Sequence, residues 1–172
     1  SLGWRIREVP LDLDLDGAAH TLRGLGPRLV FNLVESVAGR DRLSHLAPSL
    51  LEYLRLPFSG CSAAAAFTTS NKLLAKTLLS GAAVPTPPWR TLGPRGPGGG
   101  PAAEVPPPWI VKSVWEHASI GLSASSVADS EEALQAELDR RGAGAELFAE
   151  SYIDGREFNL SVLDIAGRPT VL

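Results

Sequence analysis

At 172 residues with 44% hydrophobic side chains, the chain is long enough to bury one core or two small ones. A net charge of −3 without any run of Lys or Arg argues against a nucleic acid partner, which needs cations facing successive phosphates. The single cysteine, Cys61, excludes an internal disulfide, the three histidines are scattered, and no apolar stretch reaches the roughly 20 residues of a membrane span. A soluble, cytoplasmic protein with neither nucleic acid nor membrane as partner is expected.

Residues 4–11 alternate well enough for a strand, and 16–25 follow as a short helix closed by Gly26 and Pro27. The apolar run 29–34 predicts a parallel strand covered on both faces, with Asn32 and Glu35 near the end where α/β sheets place ligands. Leu43, Leu46, Leu50, Leu51 and Leu54 keep helical spacing, which predicts an amphipathic helix over 43–55 with Pro48 as its irregularity. Pro-Phe-Ser-Gly, 57–60, then reads as a short strand and turn.

A second helix is expected from Ser70 or Asn71, either of which can cap it, to Gly81, followed by the extended connector 84–88. Residues 93–108 carry too much Gly and Pro to pack and read as a mobile surface loop, with an interdomain linker as the alternative. Beyond it, 109–114 predict a strand and 130–141 a helix, with Asp129 and Glu132 at capping-box spacing. Residues 147–153 predict another strand, and 157–163 its antiparallel continuation past the Asp-Gly-Arg turn. A last hairpin runs from Ser-Val-Leu-Asp-Ile through Ala-Gly-Arg-Pro to Thr-Val-Leu, where its second arm has barely begun. With no methionine anywhere and Ser1 at the start, both chain ends are expected to be cut.

Lys112 sits in a strand four residues before Glu-His-Ala-Ser-Ile-Gly, 116–121. An ammonium beside a loop of small residues suits phosphate, because the loop supplies backbone donors while the cation balances charge. A solvated lysine fits the same residue. Glu150 and Glu157, on either side of a tight turn, could hold the amine and ribose hydroxyls of a nucleotide, or be solvated partners of Arg. Lys72 and Lys76 open a helix where a cation works against the dipole; a bound anion would offset this for Lys72, with plain solubility as the rival.

Taken in order, several stretches resemble the D-alanine–D-alanine ligase-like branch of the ATP-grasp superfamily. They are Val-Phe-Asn-Leu-Val-Glu (30–35), Gly-Arg-Asp-Arg (39–42), Leu-Leu-Glu-Tyr-Leu-Arg-Leu-Pro-Phe-Ser-Gly (50–60), Asn-Lys-Leu-Leu-Ala-Lys-Thr-Leu-Leu (71–79), Val-Pro-Thr-Pro-Pro (84–88), Ile-Val-Lys-Ser-Val-Trp-Glu-His-Ala-Ser-Ile-Gly (110–121) and Glu-Ser-Tyr-Ile-Asp-Gly-Arg-Glu-Phe-Asn (150–159). The resemblance implies an α/β plus α+β fold: a partial N-terminal α/β lobe over 1–66, then an antiparallel-sheet nucleotide-binding subdomain over 67–172, with the C-terminal catalytic section missing.

It also implies an ATP-dependent carbon–nitrogen ligase that joins small amino acids through an acyl phosphate, as in peptidoglycan biosynthesis, and a homodimer. A non-catalytic nucleotide-binding or regulatory module, or a plain α/β scaffold, are the alternatives. Lys72 and Lys112 match the lysines that contact ATP phosphates, and Ile110 an apolar contact of the adenine. Glu116, Ser119 and Gly121 match the loop that closes over the phosphates. Glu150, Tyr152 and Ile153 match the segment that reads the adenine, and Glu157 the ribose-binding acid. Magnesium ligands and the transition-state arginine are expected beyond Leu172, so the 172 residues alone are expected to lack turnover.

Overall fold

The computed structural model describes residues 3–92, 105–116, 121–142 and 144–172. Helix α1 (Leu15–Leu25) begins where the Asp14 carboxylate accepts from the Gly17 amide at 2.9 Å and ends at Gly26, whose φ of +53° suits a residue without Cβ. A 3-10 turn (Asp41–Leu43) leads into α2 (Leu46–Tyr53). Pro48 lies in the first turn of α2, where its missing amide costs no intrahelical bond. Ala18, Ala19 and Leu22 of α1 bury against Leu50 and Leu51 of α2, with Val9, Leu11 and Phe58 packed around them.

Two strands expected in this part do not form. Residues 4–11 join no strand among the described residues and leave Trp4 and Ile6 exposed. The run 29–34 makes one parallel bridge, Val30 with Phe58, leaving Phe31 and Leu33 more than 70% exposed. A parallel strand is held by ladders on its edges, and among the described residues only 57–59 lie beside this one. The return at 57–60 is the other half of that bridge rather than a separate strand.

Helix α3 (Ala63–Ser70), capped by Ser62, was not foreseen. Its Ala-rich stretch carries too little apolar contrast for a periodic signal. Asn71 closes α3 and also caps α4 (Lys72–Gly81), accepting from the Leu74 amide at 2.9 Å.

Four antiparallel strands follow in the spatial order β1-β4-β2-β3: β1 (Trp89–Leu92), β2 (Trp109–Ser113), β3 (Val127–Ala128) and β4 (Leu147–Ser151). β1, which begins just past the connector 84–88, was not foreseen. Helix α5 (Glu131–Arg141) covers one face, where Trp109, Val111, Ala128, Leu134, Leu147 and Ala149 form a core. Ser130, not Asp129, caps α5 by accepting from the Ala133 amide at 3.2 Å, because the chain turns helical one residue later than the capping-box spacing suggested.

Strand side chains alternate between faces, so Phe148 and Glu150 point away from α5. Trp89 lies opposite Glu150, Ile110 opposite Glu150 and Lys112 opposite Phe148, which puts all five on the second face. Leu73 of α4 packs there with Trp89, Val114 and Phe148.

The expected pairing of 157–163 with the preceding strand does not form. The Tyr152 amide donates to the Pro108 carbonyl at 2.8 Å, after which the chain leaves the sheet. The final hairpin does form, as β5 (Val162–Ile165) and β6 (Arg168–Val171) in a separate two-stranded sheet. Ala166 and Gly167, both at positive φ, make its turn. Of the Gly/Pro-rich segment, 93–104 lie outside the described residues.

Candidate functional site

The second face of the sheet and the start of α4 bring charged groups together from three elements. Lys112 of β2 donates from Nζ to Glu150 Oε1 of β4 at 2.6 Å. Lys76 of α4 donates to the other oxygen, Oε2, also at 2.6 Å, and to Thr86 Oγ1 at 2.8 Å. Lys76 and Glu150 are each only 7% exposed, whereas the Lys112 side chain keeps 30% of its surface open. The Lys76 ammonium also lies 5.0 Å over the Trp89 ring.

One turn earlier on α4, Lys72 donates from Nζ to the Glu116 carbonyl, and its backbone amide donates to the Val114 carbonyl at 3.0 Å. Burial lowers the Lys72 pKa below the ordinary value of 10.5, and the neighbouring Lys112 cation lowers it further, while Glu116 and Glu150 oppose this. Two lysines crowded together on one wall leave a local excess of positive charge suited to a polyanion.

From α5, Arg141 approaches Glu116 and Gly121. Arg141 Nη1 lies 4.0 Å from Glu116 Oε2, and a Cβ built on Gly121 would meet the same nitrogen at 2.4 Å. Gly121 holds φ +74°, a conformation open to glycine but costly for other residues. Arg141 is itself fixed by buried Glu137, which takes Arg140 Nη2 at 2.7 Å, Arg141 Nε at 3.0 Å and the Ser126 hydroxyl at 3.1 Å. The Arg140 hydrogen bonds hold the Glu137 pKa down at about 2, with Arg141 and Ser126 contributing.

Of the residues expected to form a site, Lys72, Lys112, Glu116 and Glu150 therefore meet, and Ile110 lies half-buried on the same face beside Glu150. Gly121 adjoins Arg141, and Ser119 lies outside the described residues. Tyr152 and Ile153 continue from β4 with exposed side chains, and Glu157 is exposed with no ion pair to either lysine. A hollow of about 490 Å³ lined by Arg7, Asp12, Asp14, Thr21 and Leu25 belongs to the N-terminal part and includes none of these residues.

Lys76 is the member that sequence reasoning passed over. The available signal was its position three residues after Leu73, which puts it on the packed face of α4 rather than on the solvent side. Among the described residues, no three His, Cys, Asp or Glu side chains stand close enough to hold a metal ion.

The fold is that of an ATP-grasp ligase. D-alanine–D-alanine ligase from Helicobacter pylori superposes with a TM-score of 0.65 at 26% identity, over 83% of this chain and 43% of that one. An L-amino acid ligase from Bacillus licheniformis has a TM-score of 0.63 at 18% identity, over 92% of this chain and 36% of that one, a likeness of fold alone.

No protein-family model matches the chain, yet it is 35% identical to D-alanine–D-alanine ligase of Methylococcus capsulatus over 134 residues, 78% of this chain and 42% of that protein. To the enzyme of the same name from a Synechococcus strain it is 27% identical over 164 residues, 94% of this chain and 49% of that protein. In sequence and in fold the chain is similar to the D-alanine–D-alanine ligases of the ATP-grasp superfamily. It spans about half the length of the curated relatives it matches.

Proposed function

We propose that residues 67–172 form the nucleotide cradle of an ATP-dependent carboxylate–amine ligase whose substrates are small amino acids, D-alanine first among them. Residues 1–66 form the adjoining lobe. The observation that carries this reading is the meeting of Lys72, Lys112 and Glu150, 78 positions apart in the chain at the extremes, on one face of the sheet.

In this reading Lys72 and Lys112 take the phosphates of ATP, and Ile110 packs against the adenine. Glu150 accepts from the adenine amine: its two oxygens offer about four lone-pair sites, and the lysines fill two of them. Backbone groups at Tyr152 and Ile153 read the base edge, and Glu157 holds the ribose hydroxyls. Glu116, Ser119 and Gly121 bound the segment that covers the phosphates. The reaction moves the terminal phosphoryl group to a carboxylate oxygen and releases ADP; an amine then attacks the acyl carbon and phosphate leaves. Lysine charge offsets the charge that develops on the moving phosphoryl, and the covering segment keeps water from the acyl phosphate. Magnesium, which the resemblance implies, does not fit the described residues.

Calorimetric titration with ATP and thermal melting at millimolar ATP test the cradle. Binding should raise the melting temperature, since a ligand that binds only the folded state stabilises it. Lys72→Ala and Lys112→Ala should each abolish most of that gain. No gain in the parent chain would overturn the reading. Binding without dipeptide formation by the full-length protein would instead mark a non-catalytic nucleotide-binding module.

A further inference from the structure

Glu150 lies between two lysines, and the two are not equivalent. Lys112 stays partly open to the cleft, whereas Lys76 is sealed beneath Trp89 and bound to Thr86. A buried lysine that cannot reach a ligand is a costly group to keep, because an ammonium resists leaving water unless it is well paired. Its pairing here does more than solve its own burial. With Lys76 present, the Lys76–Glu150–Lys112 trio carries a net positive charge. Without it, Glu150 and Lys112 cancel.

We infer that Lys76 is a positioning residue for polyphosphate: by taking one Glu150 oxygen it keeps the charge of Lys112 available to a bound nucleotide's phosphates. The inference rests on the cradle proposed above and adds a residue and a selectivity to it. Lys76 acts through Glu150 and Lys112 and makes no contact with the nucleotide. Its removal should weaken ligands in proportion to their phosphate charge, whereas a merely structural lysine would weaken all adenine nucleotides alike or only lower stability.

The test is the ratio of ATP to AMP affinity, measured at fixed ionic strength by displacement of a fluorescent adenine nucleotide. In Lys76→Met that ratio should fall on the order of 3- to 10-fold, the scale of one charge removed at medium range in a partly screened site. Lys76→Arg should keep the parent ratio even if the protein melts earlier. Lys76→Met combined with Glu150→Gln restores the net charge and should restore the ratio. Any loss of an adenine contact in Glu150→Gln affects ATP and AMP equally and cancels.

If Lys76→Met does not fold, the double variant leaves no buried charge without a partner. Its ratio should match the parent and fall below that of Glu150→Gln alone. An unchanged ratio in Lys76→Met, or a double variant whose ratio departs from the parent, overturns the role of Lys76 while the cradle stands. Failure of the parent chain to bind ATP overturns the cradle itself.

Discussion

Lys112 and Glu150 sit diagonally across two antiparallel strands, not opposite one another. Lys112 stands opposite Phe148 and Glu150 opposite Ile110, yet Nζ reaches Oε1 at 2.6 Å. Diagonal neighbours on one face are about 7–8 Å apart at the backbone, within reach of a long lysine. Ile110 and Phe148 occupy the other diagonal of the same four positions.

Because Glu150 is the partner of buried Lys76, Glu150→Ala should be severe. The variant strands an ammonium under Trp89 and should lose about 3–5 kcal/mol of unfolding free energy. Urea denaturation of the two proteins measures this. A loss under about 1 kcal/mol would mean that Lys76 finds water or another acceptor.

Glu137 makes stability depend on acid. An unfolded glutamate takes up its proton near 4.5, while the folded one resists until about 2. Its stabilising contribution is complete above pH 4.5 and is lost as pH falls toward 2, amounting to about 3 kcal/mol by linkage. Glu137→Gln should flatten stability across that window in pH-dependent melting, and a slope equal to the parent's would refute the assignment.

Gly121→Ala asks for a Cβ 2.4 Å from Arg141 Nη1 at φ +74°. The arginine can swing aside, but the backbone strain remains, at about 1–2 kcal/mol. The displaced guanidinium also loses Glu116. The expected outcome is a modest drop in melting temperature and a larger fractional drop in ATP affinity than in stability, read by calorimetry on the same samples.

Glu157 is exposed and free of ion pairs to the lysines, so Glu157→Gln should change stability by less than about 0.5 kcal/mol. If it holds ribose hydroxyls, ATP affinity should fall by about tenfold, the worth of a hydrogen bond to a charged group. Equal affinity in parent and variant would remove Glu157 from the site.

Much of the C-terminal architecture was legible before any coordinates. The strand at Lys112, the helices from Asn71 and near Ser130, and the strand at Glu150 carry strong local signals: caps, β-branched runs and Gly stops. The strands at 4–11 and 29–34 were misread because an apolar run records what a segment could bury, not whether a neighbour is there to bury it. The pairing of 157–163 failed for a related reason: the Asp-Gly-Arg turn suggests a reversal, but nothing local says that the returning segment leaves the sheet.

By itself the sequence determined the ligase resemblance, the order of the main elements around the site, and the identity of Lys72, Lys112 and Glu150 as its candidates, since local propensities and spaced motifs are written along the chain. Only the tertiary structure decided that Lys76 belongs with them, that Glu150 is shared between two ammonium groups, and that Arg141 lies beside both Glu116 and Gly121. Those facts depend on which face of a helix meets which face of a sheet, a matter of long-range packing that short-range patterns do not encode.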